Sequence, residues 1–303
     1  MASIESLIET NYNRINNKDC KEAVIKFIKE TPTVIDRDIT FIKRLTKVAY
    51  HVIQADKSSL DSLLERIYQF TSEGLSKIDP EINTLTESNL YTIKSHLSNY
   101  AGGFAKILYE KNKDKCWGEK AYKNYIKAAS MNMDKDQNLS AHSYKSAAMV
   151  AESLFKETEE IYWAVRWYEC ARLAAEIGLN VDKMEAAVNY RSMGDAAKTM
   201  FDLTDDKKWL EIEINAYEQS AEYAKCTDSF FFAKSYLYAA IASNFAFRKL
   251  DNRNRELARR SIDSYNKFLD YCNKNPLRIF NTDEITRARQ NVYRLQRAIV
   301  RGY

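Results

Sequence analysis

The chain has 303 residues, with 46 Lys and Arg against 42 Asp and Glu, which gives a net charge of +4. No apolar run reaches the roughly 18 residues that span a bilayer, and the start of the chain lacks the basic and apolar regions of a signal peptide. These features predict a soluble, cytoplasmic protein. Five cysteines without a CxxC pair argue against a disulfide framework or a zinc site. The low content of 7 Gly and 3 Pro favours long helices.

The N-terminal residues 1–80 are predicted to form helix pairs that open one continuous array. Helices are expected over 3–16, 19–30, 38–56 and 59–73. The regular part of the array is expected over 81–273, and the Asn275-Pro276 turn ends it.

A five-position pattern recurs in four helices of the regular part. Its first members, Leu97, Tyr144, Tyr190 and Tyr236, lie 47, 46 and 46 residues apart. The other members follow at offsets of 3, 4, 7 and 10 residues, which keeps them on one face of a helix. A period of this length indicates a solenoid of stacked helix pairs, and such an array usually acts by binding.

The second helix of each pair carries a tyrosine that is predicted to lie at the seam between helices. These tyrosines are Tyr125, Tyr168, Tyr217 and Tyr265. Small residues in the first helices let the neighbouring helices approach closely. The predicted points of closest approach are Ala101, Ala148, Gly194 and Ala240.

The end of the chain is basic, because residues 248–303 hold 14 Lys or Arg against 6 Asp or Glu. A helix over 282–301 is predicted, opened by a capping box of Asn281 and Glu284. Its apolar stripe favours a capping helix that covers the end of the core, while dimerisation and attachment to a membrane surface are alternatives. Before it, the run Phe230-Phe231-Phe232 is either helix-start packing or a partner or lipid contact, since three consecutive rings cannot share one face.

A search for catalytic motifs finds none. The chain has no P-loop, GxGxxG, GxSxG or HExxH sequence, and the pair Gly102-Gly103 lies inside a predicted helix. The histidines have no spaced carboxylate or cysteine partners that would indicate a metal site or a general base. We therefore expect a protein that is not an enzyme and that needs no cofactor or metal.

One segment of the regular part resembles a known family. Residues 215–225, with the sequence NAYEQSAEYAK, resemble the AxYEQSAxYxK segment in the second helix of a SNAP repeat. The SNAP family comprises the soluble attachment proteins that link SNARE bundles to their disassembly ATPase, and its repeats are similar to tetratricopeptide repeats. Residues 164–178, 186 onward and 233–246 follow the same alternation of small and aromatic positions. The resemblance covers residues 95–272.

The resemblance implies an all-α fold, namely a right-handed α-solenoid of antiparallel helix pairs with a C-terminal capping helix. It also implies a concave face that grips a protein partner, an acidic helix bundle or peptide, through basic residues on the first helix of each pair. By repeat position, the residues of this face are Lys145, Arg191, Lys234, Lys198, His142 and Asn244. The family's partners would be a SNARE complex and an AAA ATPase, which implies an adaptor in vesicle transport that is peripheral to membranes.

An alternative function uses the basic C-terminal region to bind nucleic acid or an anionic membrane surface. The residues of that reading are Arg255, Arg259, Arg260, Arg289, Arg294 and Arg297. The same arginines are equally compatible with a charged surface exposed to solvent.

Overall fold

The computed structural model describes residues 87–225, 227–250, 254–275 and 280–301, together with residues 65, 68, 69, 71 and 72. The predicted helices 3–16, 19–30 and 38–56 lie outside these residues. The five described residues of the predicted helix 59–73 are helical.

The described part of the chain is all-α, as the sequence predicts; from residue 87 onward it contains nine helices, and none of the described residues forms a strand. The helices are α1 (Glu87–Asn112), α2 (Lys115–Asn132), α3 (Gln137–Thr158), α4 (Ile161–Gly178), α5 (Lys183–Thr204), α6 (Lys208–Ala224), α7 (Ser229–Leu250), α8 (Arg255–Lys274) and α9 (Thr282–Arg301).

The chain forms two compact units, Met1–Leu154 and Phe155–Tyr303. In the first unit, α1 packs along α2. In the second unit, each helix from α4 to α8 packs on the next helix along the chain, and the series ends with α9. This sequential packing is the arrangement of an α-solenoid, so the predicted fold class is confirmed.

The first helix of three successive pairs ends in the same way. Lys113, Glu159 and Asp205 follow α1, α3 and α5, and all three have positive φ angles, between 51° and 57°. Each donates its backbone N–H to the carbonyl four residues earlier, at 2.7 to 2.8 Å. This left-handed ending satisfies a carbonyl of the last turn. It recurs every 46 residues, at positions 113, 159 and 205, which matches the period of the sequence pattern.

Side-chain caps fix where several helices begin. Asp182 accepts hydrogen bonds from the backbone N–H groups of Met184 and Glu185 at the start of α5. The predicted capping box before α9 is confirmed: Asn281 accepts from the N–H of Asp283, and its own N–H donates to Glu284. A capped start satisfies N–H groups that have no partner within the helix.

The predicted seam positions are buried in three of the four second helices. Tyr125, Tyr217 and Tyr265 are at most 5% exposed. Tyr168 is half-buried and meets the ring of Trp209 edge to face, while the adjacent Trp167 is buried.

The predicted close-approach positions are also buried. The tightest of them is Gly194, because a Cβ atom built there would lie 2.7 Å from Cε1 of Tyr217. Gly102 is in the same situation beneath Tyr125, at 2.8 Å. Glycine at these two helical positions therefore lets a tyrosine ring lie directly against the backbone of the neighbouring helix.

The last helix packs its apolar stripe against the preceding part of the core, as predicted for a capping helix. Ala288 and Leu295 are buried in the same cluster as Phe268 and Tyr271 of α8. Phe280, just before α9, meets these two rings and stacks on Phe230 at the start of α7, with 4.8 Å between the centroids of Phe230 and Phe280. All three rings of the run 230–232 are half-buried. Phe230 packs on Phe280 and Phe232 packs on Tyr236, so packing within the core explains the positions of these two rings.

Candidate partner-binding groove

The basic residues that the sequence places on one face fall in both units. In the first unit, His142 and Lys145 of α3 line a depression of about 310 Å³ together with Asn99 and Lys106 of α1. Met149 borders the same depression and is 46% exposed. Two of the six predicted partner-binding residues therefore meet here.

In the second unit, exposed and half-buried side chains of α5 and α7 line a groove, which we call the α5–α7 groove. On each helix they follow the spacing i, i+4, i+7, i+11, which keeps them on one face. The lining residues are Arg191, Asp195, Lys198 and Asp202 of α5 and Lys234, Tyr238, Ile241 and Phe245 of α7. The intervening helix α6 contributes Glu213 and Tyr217 beneath them.

One end of this groove is cationic and aromatic. The guanidinium carbon of Arg191 lies 4.7 Å from the ring centroid of Tyr238 and 5.3 Å from that of Phe231. A guanidinium N–H also donates to the Tyr238 hydroxyl at 3.2 Å. The ammonium of Lys234 lies 6.0 Å from the centroid of the same Tyr238 ring. The structure therefore brings Arg191 and Lys234 together on one ring, and we call this the Tyr238 cation cluster.

The Tyr238 cation cluster keeps its positive charge available. Among the described residues, no carboxylate lies within 4.0 Å of the charged nitrogens of Arg191 or Lys234. Contacts with aromatic faces hold the cations in place without neutralising them. The planar guanidinium is suited to a carboxylate, which it can bind with two parallel hydrogen bonds.

Tyr217 links the cation cluster to the acidic part of the groove. Its ring lies 5.5 Å from that of Tyr238, and its hydroxyl donates to Asp195 at 2.7 Å. Burial, followed by the nearby charge of Asp195, raises the pKa of Tyr217 well above its ordinary value. The phenol therefore stays protonated and acts as a fixed hydrogen-bond donor.

The other end of the groove contains a buried acid. Glu213 is 6% exposed and borders a pocket of about 220 Å³, which we call the Glu213 pocket. Its remaining lining residues are Lys198, Phe201, Asp202, Ile241, Ala242 and Phe245. Burial raises the pKa of Glu213 to about 7; Lys198 opposes this rise, and Asp202 and Asp195 add to it.

Lys198 and Asn244 have different surroundings from the cation cluster. The exposed Lys198 borders the Glu213 pocket, at the opposite end of the groove from Arg191. Burial raises the pKa of Tyr265 of α8, and the nearby side chains of Asn291 and Asn244 oppose this rise. Asn244 is half-buried near Tyr265 and does not border the Glu213 pocket in the described part of the structure.

The C-terminal arginines differ in how far their charges are engaged. Most of them are exposed on α8 and α9, namely Arg255, Arg259, Arg289, Arg294 and Arg297. Arg260 instead makes ion pairs with Glu218 at 2.8 Å and Glu211 at 2.7 Å, and it also donates a hydrogen bond to Asn215. Its charge is therefore engaged in ion pairs that connect α8 to α6.

Sequence reasoning missed the apolar and acidic lining of this groove. Tyr238, Ile241 and Phe245 follow Lys234 at intervals of 4, 7 and 11 residues. This spacing puts them on the same face of α7 as Lys234, so the sequence contained a signal for the apolar lining. Glu213 lies three residues after Leu210 and four before Tyr217, on the buried stripe of α6, and this spacing also indicated its burial.

Comparisons with known proteins identify the fold and no family. No family model matches the chain, and no curated protein matches it. Among solved structures, the nuclear import adaptor Nro1 of S. pombe superposes with a TM-score of 0.54 at 11% identity, over 96% of this chain and 97% of Nro1. BtubC (BKLC) from P. vanneervenii gives 0.50 at 10% identity, over 93% of this chain and 95% of its own.

These likenesses place the chain in the class of all-α helical-repeat proteins, as the packing of its helices also does. At such low identity they show the fold alone, and the resemblance to the SNAP family receives no separate support from them. A search of the described helices for one both long and apolar enough to cross a membrane finds no candidate.

Proposed function

We propose that this protein is a non-catalytic adaptor that holds a protein partner in the α5–α7 groove. An acidic group of the partner binds to Arg191 and Lys234 in the Tyr238 cation cluster. The observation that carries the proposal is that both cations lie against one tyrosine ring without a carboxylate partner among the described residues. Cations arranged in this way bind an anion without first breaking an existing ion pair.

The finer form of the proposal is a cytoplasmic, SNAP-like adaptor that acts on SNARE complexes with an AAA ATPase. Its support is the resemblance of residues 215–225 to a SNAP repeat. These residues lie mostly in α6, where Ala216, Tyr217, Ser220 and Ala221 are buried. Because the matching residues are mainly packing residues, they support the scaffold directly and a SNARE partner only through the family.

Affinity capture from the native cell with a charge-reversal variant tests the proposal. Arg191→Glu and Lys234→Glu together should abolish capture of the partner while the helical circular dichroism and the melting temperature stay close to those of the wild type. The matched control makes two cation-to-acid changes at exposed lysines outside the groove, at Lys207 and Lys249. Recovery of the same proteins by the groove variant and by the control would refute the groove assignment.

A second candidate function is binding of nucleic acid or an anionic membrane surface through α8 and α9. It is favoured by the exposure of five of its six arginines. Phosphate contacts release counterions, so retention on heparin should fall steeply with salt and should weaken when Arg289, Arg294 and Arg297 are changed to Glu. A wild-type protein that passes through heparin at low salt would exclude this function.

A further inference from the structure

The Glu213 pocket holds an acid without a partner. Glu213 is more than nine-tenths buried, and among the described residues none forms a hydrogen bond or an ion pair with it. The charged and titratable groups around it are Lys198, Asp202 and Asp195 of α5 and Tyr217 of its own helix, whereas α7 presents only apolar side chains. The carboxyl borders the open pocket, so an incoming donor would meet an acceptor that no described side chain occupies.

The size of the pocket limits what that ligand is. At about 220 Å³ it is below the roughly 300–1,000 Å³ of small-molecule sites, so it suits a single side chain. Its walls are the rings of Phe201 and Phe245 and the aliphatic Ile241, of which Ile241 is 49% exposed and Phe245 is 39% exposed. A side chain that enters therefore needs an apolar stem.

The charge around the pocket determines the head group of that side chain. Among the described residues that act on Glu213, Asp202 and Asp195 are acidic and Lys198 is basic, so the surroundings of Glu213 do not supply an excess of positive charge. Lys198 is exposed and makes no ion pair with Glu213. An incoming cation would compensate the charge of Glu213, which has no ion pair among the described residues.

We infer that the Glu213 pocket binds a basic side chain of the protein partner, with the aliphatic stem against Phe201, Ile241 and Phe245 and the cationic head on Glu213. This inference rests on the proposed function and adds a second, oppositely charged anchor to it. The partner thus presents an acidic group to the Tyr238 cation cluster and a basic one to the pocket.

The spacing of the two anchors constrains the partner. Arg191 and Asp202 are 11 residues apart on α5, as are Lys234 and Phe245 on α7. At 1.5 Å per helical residue, the two ends of the groove are separated by roughly 16 Å. This distance corresponds to about 11 residues of a partner helix laid along the groove, or about five residues of an extended segment.

A titration with lysine as the probe tests the inference on the full chain. The Ile241 methyl group, labelled with ¹³C, reports by NMR on Nα-acetyl-lysine methylamide, and Nα-acetyl-norleucine methylamide serves as the matched probe without the ammonium group. We expect a saturable shift with the lysine probe that weakens at least about fivefold in Glu213→Gln, which corresponds to roughly 1 kcal/mol. The exposed Glu256→Gln is the control and should bind the probe as the wild type does.

A pH series on the wild type gives a second readout that needs no variant. Because the pKa of Glu213 is raised to about 7, the lysine probe should bind about tenfold more weakly at pH 6 than at pH 8. Equal affinity of wild type and Glu213→Gln, or equal responses to the lysine and norleucine probes, would overturn the inference.

The same assay separates this inference from the proposed function. The double variant Arg191→Glu, Lys234→Glu should still bind the lysine probe at Ile241, because its changes lie at the other end of the groove. If partner capture depends on those two cations but the lysine probe binds wild type and Glu213→Gln equally well, then only the inference about a basic side chain fails.

Discussion

Replacing Glu213 by glutamine should make the protein more stable at neutral and alkaline pH. The side chain of Glu213 is buried, borders the same pocket as Phe201 and Ala242, and forms no hydrogen bond among the described residues. Burial in these surroundings disfavours the ionised form and raises the pKa of Glu213 from 4.5 to about 7. Glutamine has nearly the same shape but stays neutral at every pH, so the variant removes the charge and keeps the packing.

The magnitude follows from proton linkage. Between pH 4.5 and about 7 the folded state binds a proton that the unfolded state has lost, so the stability of the wild type falls as the pH rises through this interval. One pH unit corresponds to about 1.4 kcal/mol, so the full penalty is ~3 kcal/mol above pH 7. Below pH 4.5 both states carry the proton and the penalty disappears.

Urea unfolding followed by far-UV circular dichroism measures this difference. The stability of Glu213→Gln relative to the wild type should grow by about 3 kcal/mol between pH 4.5 and pH 8, and Glu256→Gln should show no such growth. A stability difference that stays constant with pH, or that favours the wild type at pH 8, would refute the argument that Glu213 is ionised at a cost in the folded state.

Two further variants test the packing between helices. Gly194→Ala places a methyl group 2.7 Å from the Tyr217 ring and should cost roughly 1–3 kcal/mol in urea unfolding, whereas Gly178→Ala, whose Cβ would meet its nearest neighbour at an ordinary 3.4 Å, should cost nothing measurable. Arg260→Ala removes the ion pairs between α8 and α6 and should cost about 1 kcal/mol at low salt and less at high salt; a cost that does not depend on salt would contradict an ionic role.

The sequence was sufficient to predict the repeat because helix packing depends on local patterns. A small residue must face a large ring wherever two helices approach closely, so Gly194 and Tyr217 are recognisable from their repeat positions. The seam was harder to predict in α4, where two adjacent aromatic residues compete. Trp167 is buried there and donates a hydrogen bond to Ser192, a partner that the repeat pattern does not reveal, and Tyr168 is left half-buried.

The groove was only partly predictable, because its charges depend on contacts between distant residues. The resemblance to the SNAP family, applied by repeat position, was enough to select Arg191 and Lys234, but not to show that both lie on Tyr238. Arg260 has the same sequence character as its exposed neighbours, yet its acidic partners lie 42 and 49 residues away and become adjacent only when α8 packs near α6. The burial of Glu213 was not predicted, because glutamate side chains are usually exposed.

Site-specific photo-cross-linking in the native cell tests the central claim most directly. The cross-linking amino acid p-benzoyl-phenylalanine is placed at Ile241, exposed in the α5–α7 groove, or at Tyr293, exposed on α9. The account predicts a covalent adduct with one defined protein from position 241, lost when Arg191 and Lys234 are changed to Glu, and none from position 293. Adducts from position 293 alone, or an adduct from 241 that persists in the charge-reversal background, would contradict it.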